Sequence, residues 1–114
     1  MQINPSQVSQ IIEVRRGDDA RIFGEQLLIG TTPINLSGSS VTLVLHDPST
    51  STTTRRTATV TSAVSGSVQY QFVEADVETA GTKLMEWEII NSAGKELTIP
   101  TTGYYVLDII NDLQ

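Results

Sequence analysis

No cysteine occurs among the 114 residues, which excludes disulfides, thiolate metal sites and cysteine nucleophiles. Histidine occurs once, at His46. A histidine metal cluster is therefore impossible, and any Ser-His-Asp triad would have to be built on that one ring. No G-x-S-x-G elbow or phosphate-cradling glycine loop is present. The chain is expected to have no enzymatic activity, no cofactor and no metal. Basic residues number 7 against 13 acidic ones, a formal charge of −6. That balance argues against gripping a nucleic-acid backbone or an anionic membrane surface, both of which need clustered Lys and Arg. No apolar run approaches the roughly 20 residues of a membrane span. The start, MQINPSQVSQ, lacks the basic end and apolar centre of a signal peptide, so synthesis in the cytoplasm is expected.

What the chain does have is alternation with a period of two. In SVQYQF, Val68, Tyr70 and Phe72 share one face, with Gln69 and Gln71 on the other. Val41, Leu43 and Leu45 do the same in VTLVLH, Met85, Trp87 and Ile89 in KLMEWEII, and Tyr105, Leu107 and Ile109 in YYVLDII. Strands with one buried and one wet face read this way in antiparallel sheets. Weaker strands are expected at 11–14, 21–29, 58–64 and 97–100. In the second of these, Glu25 shares a face with Phe23 and Leu27, and a bulge at Gly24 is expected to correct the register. Eight strands, give or take one, predict an all-β, immunoglobulin-like sandwich of two antiparallel sheets.

Turn chemistry separates the strands. Val64-Ser65-Gly66-Ser67 predicts a tight hairpin and Asn91 to Lys95 a longer one. His46-Asp47-Pro48 ends a strand, and the polar tract 49–54 reads as a mobile loop. VEADVETAG predicts a single helical turn, closed by Gly81. Residues 11–110 form the expected domain, preceded by an extended arm over 1–10 and followed by a short polar tail over 111–114.

Candidate functional residues lie in two basic clusters. Val14-Arg15-Arg16-Gly17-Asp18-Asp19 contains the Arg-Gly-Asp tripeptide of cell-adhesion ligands, but nothing else in the chain supports that role. Gly17 suits a positive φ, and Asp18 or Asp19 can cap backbone amides, which makes the stretch a structural turn. Arg15, Arg16 and Asp18 then flank the corner as interface candidates. Arg55 and Arg56 are a second interface candidate, because arginine is enriched at protein interfaces. Glu86 and Glu88 stand roughly 6–7 Å apart along one strand face, a separation at which carboxylates do acid–base work. The simpler reading places them on the solvent side of the Trp87 strand. Glu74, Asp76 and Glu78 lack the spacing of a calcium loop and read as a solvated corner. Aromatics are only 5%. With Tyr70, Phe72 and Trp87 expected in the core, few are left, and Tyr104 is the best spare to stack on a sugar.

Six stretches in order carry a resemblance: VRRGDD (14–19), VTLVLHDP (41–48), GSVQYQF (66–72), AGT (80–82), EWEI (86–89) and IPTTGY (99–104). Together they resemble the N-terminal immunoglobulin-like domain of bacteriophage upper baseplate proteins, the BppU N-terminal family, over Val14 to Ile110. The resemblance implies a rigid, non-enzymatic β-sandwich of the virion, made in the bacterial host cytoplasm. It would contact other phage virion proteins in the tail or baseplate, in multiple copies of a symmetric assembly, and bind neither nucleic acid nor membrane. Capsid decoration or a neck position is the alternative within the same virion. A carbohydrate- or host-surface-binding module is the alternative of another class. A tyrosine commonly follows the AGT stretch in that family. Here Lys83 stands there, so the corner hydrogen bond must be replaced or absent.

Overall fold

A computed structural model describes residues 7–101 and 103–111. Eleven strands and one helical turn follow in the order β1 (Val8–Arg15), β2 (Ile22–Gln26), β3 (Leu28–Ile29), β4 (Thr32–Pro33), β5 (Ser40–Asp47), β6 (Thr52–Thr57), β7 (Thr59–Ser62), β8 (Ser67–Gln71), α1 (Glu74–Val77), β9 (Gly81–Ile90), β10 (Glu96–Ile99) and β11 (Tyr104–Ile110). They form two packed sheets and a small ribbon. The larger sheet runs β1-β11-β9-β5-β6, with β10 also on β9; the smaller runs β2-β8-β7; β3 pairs β4. The all-β sandwich expected from the alternation is the fold.

The count exceeds eight for three reasons. The 21–29 run divides into β2 and β3, and β4 pairs with the latter. The polar tract is a strand in its second half: β6 pairs antiparallel with β5 from Thr52 to Thr57. Only 48–51 connect them, drawn tight by Asp47 Oδ1, which accepts from the Ser49 amide at 3.0 Å and its hydroxyl at 2.7 Å. One pair is also not antiparallel. β1 lies parallel to β11, from Ile11↔Val106 to Arg15↔Ile110, because the chain leaves β1 to cross to the other sheet instead of turning back beside it. Residues 8–10, expected in the arm, belong to β1. The rest of that arm up to residue 6, and the tail from 112, lie outside the described residues.

The core sits between the sheets. Trp87, Leu27, Leu43 and Leu107 are wholly buried, and Trp87 stacks on Phe23 with ring centroids 5.0 Å apart. Tyr105 also meets Phe23, edge to face, with ring centroids 5.5 Å apart. Each aliphatic buried this fully stabilises the fold by about 1.5–3 kcal/mol.

Glu25 corrects one expectation. β2 pairs with β8 without a bulge, from Ile22↔Gln71 to Gln26↔Ser67, so Glu25 does turn inward with Phe23. Its carboxylate accepts the Trp87 indole N–H at 3.1 Å and the Tyr105 hydroxyl. The carboxylate gives two buried donors a partner that no apolar residue could supply.

Candidate interface

The VRRGDD stretch is a corner made by backbone. Asp18 N–H donates to the Arg15 carbonyl at 3.0 Å, and Gly17 takes φ +88°. Two further bonds fasten it: Arg16 N–H to the Ile110 carbonyl and Gly17 N–H to the Val77 carbonyl, both 2.8 Å. The side chains of Arg15, Arg16, Asp18 and Asp19 are exposed. The corner thus hangs on β11 at one point and on α1 at the other.

The second basic cluster divides because successive strand residues point to opposite faces. Arg55 lies on the outer face of the large sheet and pairs with Glu88 at 2.7 Å. Arg56 lies on the inner face and reaches α1, where it meets Asp76 at 3.0 Å. Asp76 is only 2% exposed, which replaces the solvated corner expected for it. Its Oδ2 accepts the Tyr70 hydroxyl at 2.5 Å and the Val73 amide at 3.0 Å, while Oδ1 accepts Arg56 Nε at 3.1 Å. Lys83 Nζ donates to the Asp76 carbonyl at 2.8 Å. Lys83 therefore binds the α1 turn, and Tyr70 provides the phenol. Glu74 and Glu78 of the same acidic stretch are exposed.

One helical turn thus gathers the Gly17 corner, 60 residues before Val77, and Arg56, 20 residues before Asp76. Nothing in the sequence spacing signals that convergence, because each partner comes from a different strand crossing.

The outer face of the large sheet is the broadest patterned surface. Strand register aligns Ile11, Val106, Leu84, His46 and Thr53 in one row across β1, β11, β9, β5 and β6. His46 Nδ1 lies 3.0 Å from Thr53 Oγ1 at the end of that row. Val106, Leu84 and the nearby Val44 are 6–7% exposed, although they face away from the sandwich and stand apart from its core cluster. The alternation read from sequence gave these strands a single apolar face, so this stripe was missed. Glu86 and Glu88 lie on this same outer face, both half-buried, and Arg55 holds the Glu88 carboxyl below its usual range. Tyr70, Phe72 and Trp87 are buried in the core and Tyr104 is half-buried.

Solved structures share this fold, among them two that cover most of the chain. The N-terminal domain of ORF48 from phage TP901-1 matches with a TM-score of 0.68 at 14% identity, over 90% of this chain and 85% of that one. CopC from Methylosinus trichosporium OB3b matches with a TM-score of 0.53 at 12% identity, over the same shares. No family model and no curated protein sequence matches the chain.

Proposed function

We propose that this chain is a non-enzymatic structural module of a bacteriophage virion, making protein–protein contacts in the tail or baseplate. The observation that carries the reading is the likeness to the phage ORF48 domain over 90% of the chain. The six ordered sequence stretches resembling baseplate domains support it independently, since they do not depend on the backbone. A rigid sandwich with its glycine corner tied to two elements suits a load-bearing part. The acidic balance of the chain suits contacts with other proteins better than with nucleic acid or an anionic lipid surface. Tail or baseplate placement is preferred to capsid decoration or the neck because the six ordered sequence stretches resemble a domain of upper baseplate proteins.

Mass spectrometry of purified virions tests this. The chain is expected among the structural proteins, in a stoichiometry matching a symmetric tail component. Its absence from particles, with abundance confined to the infected-cell lysate, would overturn the reading.

A further inference from the structure

A sheet edge with unpaired N–H and C=O groups is a template for another strand unless something blunts it. Most edges of this sandwich are blunted. β7 has four residues and a register shift, β6 carries Arg55 and Arg56, β2 turns Glu25 inward, and β10 has four residues. β1 is different. It is eight residues long, and no strand among the described residues pairs with its outer edge. From Val8 to Ile12 it carries no charge and no proline. Ile11 is 60% exposed, the highest value of any large apolar residue in the two main sheets. Beside this segment a groove of about 530 Å³ crosses the outer sheet face, lined by Val8 to Ile11 of β1, Val106 and Asp108 of β11 and Thr82 of β9.

At the end of the groove Glu13 and Asp108 are direct register partners on the outer face. Like charges placed side by side in a sheet are destabilising, and no cation pairs with either among the described residues. The edge therefore offers backbone groups, the exposed Ile11 side chain and two adjacent carboxylates in sequence.

We propose that the free edge of β1, from Val8 to Glu13, is a strand-addition site for an extended segment of a different protein. That segment lays an apolar side chain beside Ile11 and a basic one beside the Glu13–Asp108 pair. A second copy of this chain is disfavoured, because it would bring a net charge of −6 and its own acidic pair to the same place. The inference does not rest on the virion reading, since it follows from the edge alone.

The test uses the full chain, isotope-labelled, titrated with two synthetic peptides. Both alternate valine with threonine; one carries lysine at the charged end and the other glutamate. The lysine peptide is expected to shift the amides of Ser9 to Glu13 and slow their hydrogen exchange, and the glutamate peptide to leave them unchanged. Glu13→Lys with Asp108→Lys should reverse that preference, and Ile11→Thr should weaken the lysine peptide about tenfold. An unchanged melting temperature verifies the fold of each variant. The proposal is overturned if the lysine peptide leaves β1 unshifted or shifts another edge instead. Equal binding of both peptides, or β1 shifts that track self-association, would overturn it as well.

Discussion

The Tyr70 hydroxyl lies 2.5 Å from a carboxylate oxygen of Asp76 on α1, and both residues are buried. The phenol, the Val73 amide and the Arg56 guanidinium together satisfy that carboxylate. Removing Arg56 leaves a buried charge short of its cation, so Arg56→Ala is expected to destabilise by about 3 kcal/mol. Arg55→Ala, which breaks a solvent-screened surface pair, should cost clearly less. Urea denaturation of the two variants separates them, and equal costs would contradict the assignment of Arg56 to the inner face.

Glu25 supports a second prediction. Glu25→Ala leaves the Trp87 indole N–H and the Tyr105 hydroxyl unpaired, at about 1–3 kcal/mol for each donor. Glu25→Gln keeps an acceptor and should recover much of that loss. If the alanine variant were as stable as wild type in thermal unfolding, the inward carboxylate would have no structural part.

The two glycine corners differ in kind. Gly17 has φ +88° with nothing within 4 Å of an added Cβ, so Gly17→Ala meets backbone strain alone, about 1 kcal/mol. An alanine at Gly66, φ +73°, would place its Cβ 2.7 Å from the carbonyl oxygens of both Ile34 and Leu27. Gly66→Ala is therefore expected to cost clearly more than Gly17→Ala, and Asp18→Ala less than either. Melting temperatures ranked in the reverse order would contradict this.

The tyrosines set the alkaline limit. Burial, then hydrogen bonding to Asp76, pushes the Tyr70 hydroxyl above its ordinary range; burial and Glu25 do the same for Tyr105. In the unfolded chain both ionise near 10. As pH rises the unfolded state loses these protons first, so stability is full below about pH 10 and falls above it. On the acid side, the Ser49 hydroxyl holds the Asp47 carboxyl low, and Arg55 does so for Glu88. Their contribution is present above about pH 4 and is lost as pH falls through the lowered values. Denaturation across pH should show the alkaline fall, and Tyr70→Phe should make it shallower. An alkaline limb unchanged by that substitution would contradict the account.

How much of this could be read from sequence depends on whether a residue's role is local. Val68-Tyr70-Phe72 and Met85-Trp87-Ile89 declare their buried faces by alternation alone, and Gly17 and Gly66 declare turns by needing no partner. Glu25 could not be read, because a lone carboxylate on an apolar face resembles a register error until Trp87, 62 residues away, arrives beside it. β6 was hidden because its inward positions, Thr54 and Arg56, meet the rim of the core and α1, where polarity is permitted. Asp76 looked solvated since three of its partners come from other elements. Val44, Leu84 and Val106 were hidden by the assumption that an antiparallel strand has one apolar face.

The Glu13–Asp108 pair belongs to the same class, as it exists only through the parallel pairing of the first and last strands. That pairing makes the outer sheet face continuous from Ile11 to Thr53 and puts β1 at the end of the large sheet, with no strand on its outer edge among the described residues.

The central claim is that this sandwich is a virion part held by its protein contacts. An image reconstruction of the intact phage particle tests it most directly. The account predicts density for the sandwich at the tail or baseplate, in symmetric copies, with neighbouring protein against the corner at Arg15–Asp19 or the large-sheet face. A particle in which every structural density is assigned to other chains would contradict it.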